Sequence, residues 1–310
     1  MVSYLITDTH FGYRQASPSF FESQMKFMRT FLKLLKKKPG RVFHLGDVFH
    51  SREFVPVKIG EEVRKLFNEI EKVATEFYII SGNHDIYSPV SDDYTSIEMV
   101  LDQPVIVREV VELDDCILVP WSKTGEIESL YEKGKPILTH TDLLSMNMPK
   151  VPVISGHLHQ RFFEGNKINL GSCFAFNFGD GQASCSADGL ASRFADSPGK
   201  YIYTTEDFKT FTSIENTDSI RFLRVTLVDL DQARPGDELE LYIQRSELTK
   251  SVEDYIKSLP NKIKIIYVQE QVTFSSCHCD IYSIIDGCIP DHLKTIYDET
   301  KEITKSSLHR

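Results

Sequence analysis

The sequence predicts an α/β protein in which a largely parallel β-sheet is covered by helices. Short apolar runs alternate with longer segments whose apolar residues recur at helical spacing. That order is typical of parallel strands joined by helices. In addition, five of the short runs end in Asp, Asn or His. Because loops at the carboxyl ends of such strands build the active site, these polar residues are the candidate functional residues.

The first half of the chain carries three predicted strands and two predicted helices. In order, they are strand 1–7, a helix whose apolar residues run from Met25 to Leu35, strand 41–45, a helix from Ile59 to Val73, and strand 77–80. Pro39-Gly40 ends the first helix, which closes with a run of three lysines. We interpret that run as a solvated helix end, with a contact to DNA as the alternative.

The chain from residue 86 to 219 continues with short strands. A loop over 86–96 and a helix near 95–102 precede predicted strands at 105–108, 109–113, 116–119, 136–139, 151–155 and 167–172. Residues 172–199 lack periodicity and are rich in Gly, Ala, Ser and Asp. Within them we expect 181–197 to form a mobile loop near the active-site face, either functional or a passive insertion.

A second, smaller module is predicted from about residue 220. Strands at 222–227, 239–243 and 263–267 enclose a helix that Ser251 opens with a capping box and Pro260 ends. A last helix is expected near 290–304. The predicted domains are therefore 1–218, an α+β domain at 219–275, and a tail at 276–310.

Composition limits the class of protein. The 310 residues suffice for two domains, and the absence of a secretory signal and of any apolar run near 18 residues predicts a soluble protein. The six cysteines form no CxxC pair, which predicts free thiols and a cytoplasmic location. Cys277, Cys279 and Cys288 with His278 are better explained as unpaired residues than as a metal site.

A net charge of −10 disfavours a broad phosphate-binding surface, so any contact with DNA must be local or come from a partner.

The strand ends supply a specific set of metal-binding side chains. They carry Asp8 and His10, then Asp47, then Asn83 with His84 and Asp85, then His140, and finally His157 and His159. Carboxylate, amide and imidazole ligands suit Mn, Fe, Zn or similar ions. Two such ions held close together can bind a phosphoryl group for in-line attack, and the shared ligand of such a pair is best a carboxylate, for which we choose Asp47.

These five motifs, in this order, resemble the calcineurin-like metallophosphoesterases. The resemblance implies a β-sandwich flanked by helices (αββα). It implies that Asp8, His10, Asp47 and His159 hold one metal, and that Asp47, Asn83, His140 and His157 hold the other. It also implies that His84 is catalytic, contacting the phosphate and protonating or polarising the leaving oxygen. We expect Asp85 to orient the His84 ring, and we count it as catalytic on that basis.

Further stretches are similar to the SbcD-type DNA repair nucleases, including the phage recombination endonuclease subunit. They are 46–52, 82–87, 117–121 and 169–172. This resemblance implies Mn²⁺-dependent cleavage of duplex ends and of single strands in recombination and repair, a capping domain, a homodimer, and an SbcC-type coiled-coil ATPase partner. The alternatives are a phosphoesterase for another diester or monoester, and a non-catalytic subunit that binds DNA ends.

Overall fold

Two six-stranded sheets packed face to face form the frame of the protein. The structure is a computed structural model that describes residues 1–88, 91–101, 105–177 and 200–268. In chain order the strands are β1 Ser3–Ile6, β2 Arg41–His44, β3 Glu76–Ile80, β4 Ile86–Ser88, β5 Ser91–Thr95, β6 Val105–Val107, β7 Val111–Glu112, β8 Ile117–Val119, β9 Ile137–Thr139, β10 Val153–Ser155, β11 Phe162–Glu164, β12 Lys167–Asn169, β13 Tyr201–Thr205, β14 Thr212–Glu215, β15 Phe222–Val225, β16 Glu238–Ile243 and β17 Lys262–Tyr267.

The helices are α1 Pro18–Lys37, α2 Val57–Val73, α3 Ser96–Val100, α4 Ile127–Leu130 and α5 Lys250–Ser258. Short 3₁₀ helices span Trp121–Glu126, Tyr131–Lys133, Leu227–Gln232 and Arg245–Glu247. A helical turn at Tyr13–Ala16 contains left-handed backbone at Arg14 and Gln15. Within the described residues, no helix has the length and apolar composition needed to cross a membrane.

The first sheet has the strand order β14-β13-β1-β2-β3-β6, and the second has the order β11-β12-β10-β9-β8-β7. Strands β1, β2, β3 and β6 are parallel, as are β12, β10, β9 and β8, while the antiparallel strands lie at the edges. The largely parallel α/β architecture predicted from the sequence is therefore confirmed.

Alternation along the strands assigns each apolar side chain to a layer. In β1, Tyr4 and Ile6 join the core between the first sheet and the helices, whereas Leu5 joins the core between the two sheets. Strand β2 divides Val42 and Phe43 in the same way, because successive side chains point to opposite faces of a sheet. A third core on the outer face of the second sheet is covered by α4 and its neighbouring turns. The four layers match the expected αββα arrangement.

Residues 222–267 build a separate parallel sheet with its own core. Its strand order is β15-β16-β17, and its buried side chains are Leu223, Val225, Leu230, Leu239, Leu241 and Ile243. The strands and the helix of the predicted α+β module are thus present, while the boundaries of the three domains stay predictions. The predicted loop 181–197, the tail 276–310 with its helix, and the four residues Cys277, His278, Cys279 and Cys288 lie outside the described residues.

Three local predictions differ from the structure. Residues 86–95 form the antiparallel pair β4 and β5 rather than a loop. The N-cap of helix α5 is Thr249, two residues before the expected Ser251, because the Thr249 side chain accepts the bond from the Val252 N–H at 3.3 Å. Strand β11 was not anticipated, because its two adjacent phenylalanines show no alternation of polar and apolar residues. It pairs with β12 as an edge strand across a turn at Gly165.

Candidate metal centre

The five polar strand ends meet at one edge of the sandwich. Strands β1, β2 and β3 are parallel neighbours in the first sheet, and β9 and β10 are parallel neighbours in the second. Their carboxyl ends therefore lie on the same side of each sheet. All seven predicted metal ligands take part in the contacts described next, and His84 lies beside them.

One group consists of Asp8, His10 and His159. Nε2 of His10 and Nε2 of His159 are 3.3 Å apart, and they lie 3.8 and 4.0 Å from Oδ1 of Asp8. Two hydrogen bonds orient the Asp8 carboxylate. It accepts the Thr7 hydroxyl at 2.5 Å and the backbone N–H of His157 at 3.2 Å.

The second group consists of Asp47, His140 and His157, with Asn83 among them. Oδ1 of Asn83 lies 3.1 Å from Nε2 of His140 and 3.0 Å from Nδ1 of His157. Oδ2 of Asp47 is 3.3 Å from the same His140 nitrogen. These separations match those between ligand atoms that share an ion at bond lengths of about 2.0–2.2 Å.

Asp47 lies between the two groups. Its Oδ2 is 3.5 Å from Nε2 of His10 in the first group and 3.3 Å from Nε2 of His140 in the second. Its Oδ1 accepts the backbone N–H of His84 at 2.9 Å. This carboxylate therefore has the position that a shared ligand requires.

The donor set fits divalent ions. Nδ1 of His140 lies 2.7 Å from the carbonyl oxygen of Leu45, which can only accept, so Nδ1 carries a proton and Nε2, which faces Asp47, is the nitrogen that can bind an ion once the ring is neutral. At 3.3 Å, Nε2 of His10 and Nε2 of His159 form a hydrogen bond when one of them carries a proton, and when neither does both lone pairs are available to an ion. A cation between them would satisfy both.

Electrostatic coupling shifts the ionisation of these side chains. Burial raises the pKa of Asp47, but the His140 and His10 rings outweigh it and lower that pKa well below its ordinary value. Burial lowers the pKa of His10 well below its ordinary value, against the effect of Asp47. Burial also lowers the pKa of His140, but the Asp47 carboxylate outweighs it and raises that pKa to about 9.

The backbone at the site adopts conformations that side chains other than glycine rarely take. Four of the predicted ligands have positive φ: Asp8 at 50°, His10 at 42°, Asp47 at 58° and His157 at 74°. Such residues each cost about 1–3 kcal/mol and concentrate at functional sites. The strand ends therefore hold these side chains at an energetic cost that the rest of the fold offsets.

Two glycines permit the close approach of the strand ends. A Cβ atom on Gly82 would lie 2.3 Å from Oδ1 of Asp47, and one on Gly156 would lie 1.8 Å from the Thr7 hydroxyl and 2.7 Å from Oδ2 of Asp8. The two sheets thus meet at the site without side chains at these positions.

His84 stands beside both groups and contacts another histidine. Its Nδ1 donates to the carbonyl oxygen of His50 at 2.6 Å, and its ring stacks on that of His50 with centroids 5.5 Å apart. Its ring also meets that of His10 edge to face at 4.9 Å. His84 is outside these two groups, and its role at the phosphate stays a prediction.

The Asp85 carboxylate binds backbone N–H groups rather than the His84 ring. Its buried carboxylate accepts the backbone N–H groups of Gly82, Asp47, Val48 and Phe49 at 2.9, 2.7, 2.9 and 3.4 Å. Burial and the charge of Asp47 raise its pKa to about 7, against the effect of these donors. The structure corrects the expectation that Asp85 orients the His84 ring, because this carboxylate fixes the turn that carries Asp47. Its assignment as a catalytic residue stays a prediction.

A pocket of about 110 Å³ opens on the site. It is lined by His10, Tyr13, Asp47, His50, Asn83, His84, His157, His159 and Phe176. The sequence predicts that residues 11–14, which follow the Asp8 and His10 motif, begin a loop over the site, and Tyr13 lies in that loop. Sequence reasoning did not assign His50 or Phe176 to the site. The signal for His50 was its place three residues after Asp47, and together with His10 and His84 it forms a third group with a spacing that suits a metal. Phe176 carried no such signal.

The match to a protein family agrees with this geometry. The family model described as calcineurin-like phosphoesterase matches residues 1–171, which is more than half of the chain. No curated protein matches the sequence. A solved structure, the crystal structure of the Pseudomonas putida nuclease MPE, is 18% identical over 52% of this chain and 62% of its own, with a TM-score of 0.31. This chain thus spans about three fifths of that nuclease, and a TM-score this low supports no inference.

Proposed function

This chain belongs to the calcineurin-like phosphoesterase family, and from that premise we propose that it is a metal-dependent nuclease that hydrolyses phosphodiester bonds in DNA. The observation that carries the proposal is the pair of ligand groups that share Asp47, with His84 beside them. The family binds a dinuclear divalent metal site, and the Asp and His clusters described here can hold it.

We assign the residues as follows. Asp8, His10, Asp47 and His159 hold one ion, and Asp47, Asn83, His140 and His157 hold the other. Two ions at these positions would neutralise the phosphoryl oxygens and activate water for in-line attack. Because Nδ1 of His84 is engaged with the His50 carbonyl, its Nε2 is the atom that donates a proton to the leaving oxygen.

The choice of DNA and of Mn²⁺ rests on the sequence. The stretches at 46–52, 82–87, 117–121 and 169–172 are similar to SbcD-type DNA repair nucleases, and the α+β module at 222–267 suits a capping domain. We propose that the protein acts in recombination and repair, as an exonuclease on duplex ends and an endonuclease on single strands. The oxygen and nitrogen ligand set without thiolate suits Mn²⁺.

We also propose a coiled-coil ATPase partner of the SbcC type, a homodimer, and action in the cytoplasm. These proposals rest on the same resemblance and on the unpaired cysteines. Co-purification with the ATPase and the mass of the isolated protein in solution test the first two.

Metal binding is tested first, through the only tryptophan. The Trp121 ring lies 5.0 Å from the His157 ring and 6.1 Å from the His140 ring, so bound Mn²⁺ should quench its fluorescence, and EDTA should restore it. Metal analysis should approach two ions per chain. Asp47→Ala should abolish the response, whereas Asp114→Asn, on the turn between β7 and β8, should retain it. One ion or none in the folded protein would contradict the assignment.

The substrate is tested with four phosphate esters. Linear duplex DNA, circular single-stranded DNA, methyl p-nitrophenyl phosphate and p-nitrophenyl phosphate are compared with Mn²⁺, Mg²⁺ or EDTA. Cleavage of both DNAs with Mn²⁺, absent with EDTA and with Asp47→Ala, is expected. Faster turnover of the monoester than of any diester would favour a phosphomonoesterase. DNA binding without hydrolysis of any ester would favour a non-catalytic end-binding subunit.

A further inference from the structure

An arginine and four aromatic rings form a surface beside His159. We name it the Arg161 surface, and it consists of Arg161, Phe163, Tyr201 and Phe211 over the buried ring of Tyr203. The Arg161 guanidinium lies 4.6 Å from the centroid of the Tyr201 ring. Arg161 is exposed, Phe163 is 51% exposed, and Tyr201 is partly exposed.

The rings behind the guanidinium form one continuous cluster. Tyr201 packs on Tyr203 with ring centroids 6.0 Å apart, and Phe163 packs on Tyr203 at 6.2 Å and on Phe211 at 5.9 Å. The cluster joins β11, the edge strand of the second sheet, to β13 and the turn before β14 in the first. The Arg161 guanidinium therefore packs on a cluster of aromatic rings, which restricts its position.

The same hydrogen bonds that fix His159 also fix Arg161. The Asn169 amide donates to the carbonyl oxygens of Leu158 and Gln160, each at 2.7 Å. The Lys200 ammonium, which is buried, donates to the carbonyl oxygen of His159 at 2.9 Å. Because Lys200 directly precedes Tyr201, one network positions a predicted metal ligand and both members of the Arg–Tyr pair.

The Arg161 surface lies near the predicted metal ligands. Consecutive Cα atoms are about 3.8 Å apart, so the Cα of Arg161 lies within about 8 Å of that of His159. Strand β13 runs antiparallel to β1, which places Tyr201 at the end of the sheet where β1 delivers Asp8 and His10. One strand of nucleic acid advances about 3.4 Å per nucleotide, so a strand held at the metals can extend to this surface within a few nucleotides.

Resting on the proposed function, we propose that the Arg161 surface binds a nucleotide adjacent to the scissile phosphate. Its base stacks on the guanidinium plane, which the Tyr201 ring supports, and its phosphate accepts the N–H groups at the edge of that plane. Stacking of bases on arginine and aromatic side chains is a general mode of single-strand recognition and does not depend on sequence. In a chain of net charge −10, a single supported arginine gives the local positive charge that a phosphate needs.

The proposal predicts that substitutions in the Arg161 surface lower kcat/KM only for substrates that contain a base. Arg161→Ala and Tyr201→Ala should each lower kcat/KM on a single-stranded oligonucleotide by about 5- to 100-fold, the range that a lost stacking contact gives. Both variants should turn over methyl p-nitrophenyl phosphate, a diester without a base, at the rate of the unmodified protein. Arg161→Lys should retain only part of the oligonucleotide activity, because an ammonium cannot stack.

The chain offers a matched control in a second Arg–Tyr pair. The Arg245 guanidinium lies 5.2 Å from the Tyr267 ring centroid on the α+β module. Arg245→Ala and Tyr267→Ala remove the same chemistry away from the site and should change neither activity. A series of oligonucleotides that each lack one base should show, with the unmodified protein, one or two positions where the missing base lowers kcat/KM. With Arg161→Ala those positions should have no effect.

The outcomes separate this proposal from the proposed function. Oligonucleotide cleavage by Arg161→Ala and Tyr201→Ala at the unmodified rate overturns the proposal and leaves the nuclease assignment intact. An equal loss on the oligonucleotide and on the simple diester also overturns it, because the pair then only supports the fold of the site. If the unmodified protein cleaves the simple diester but no DNA, the assignment of DNA as substrate fails, and the proposal fails with it.

Discussion

His84 is held through one ring nitrogen, and this defines what the other can do. Nδ1 donates to the His50 carbonyl at 2.6 Å, and the backbone N–H of His84 donates to Asp47. We predict that His84→Ala lowers the rate of diester hydrolysis by about 10²–10⁴, the usual effect of lost acid–base catalysis. Its metal content should stay near two ions per chain, because the side chain is not in either of the two ligand groups.

Parallel measurement of metal content and hydrolysis checks this assignment. His84→Gln, which keeps a hydrogen-bonding side chain without an acid of suitable pKa, should be as slow as His84→Ala. Near-normal hydrolysis by either variant, or loss of metal from both, would show that His84 has another role.

The ionisation of His140 predicts that metal binding depends on pH. Asp47 raises the pKa of His140 to about 9, so the ring is protonated near pH 7 in the absence of metal and must lose that proton to bind an ion. Metal affinity should therefore rise with pH up to about 9. Calorimetry at pH 7 in two buffers of different ionisation enthalpy should detect the release of about one proton, and Asp47→Asn should reduce it. Equal heats in the two buffers would contradict this prediction.

At the scale of the strands and their connections, the site depends on how closely β1 and β10 approach. A Cβ on Gly156, directly after β10, would lie 1.8 Å from the Thr7 hydroxyl that orients Asp8. Gly156→Ala should therefore displace Asp8, remove the ion it holds, and lower the melting temperature.

Gly125→Ala is the matched control for that variant, because a Cβ there meets nothing within 4 Å. It should keep two ions and an unchanged melting temperature. Two ions in Gly156→Ala would show that the strand ends adjust more freely than this contact allows. Circular dichroism and metal analysis on the same samples distinguish loss of metal from loss of fold.

At the scale of the whole molecule, one arginine connects the α+β module to the turn above the site. Arg14 forms an ion pair with Glu238 of β16, and its guanidinium lies 4.7 Å from the ring of Phe222 in β15. The preceding residue, Tyr13, lines the pocket. The module therefore helps to hold the left-handed turn that forms one wall of the site.

We predict that Arg14→Ala lowers the free energy of unfolding by about 1–3 kcal/mol, because the lost pair is partly buried and charge-assisted. Lys250→Ala removes an exposed pair with Asp254 on α5 and should cost less than about 0.5 kcal/mol. Urea unfolding followed by circular dichroism measures both. Equal stability of the two variants would show that the module is attached by other contacts.

The sequence by itself determined the layered fold and the chemical character of the site. Periodicity located the main helices and most strands, since both depend on short-range backbone geometry and on which side chains are apolar. The five strand-end motifs also identified the side chains that the structure brings together, because parallel strands within each sheet place their carboxyl ends at one edge. The packing of the two sheets decided that both edges lie together. This rule about parallel strands does not predict which side chains from other segments also lie at that edge.

Only the tertiary structure decided the contacts between distant segments. Asp85 was expected to serve its neighbour His84, but its carboxylate satisfies N–H groups of the turn around Asp47. Likewise, Arg161 directly precedes β11, and it meets Tyr201 because β11, the edge strand of the second sheet, packs on β13, which is one strand in from the edge of the first. No pattern of neighbouring residues in the sequence predicts this contact between Arg161 and Tyr201. It follows from the register and packing of two sheets, which depend on the whole set of buried side chains at once.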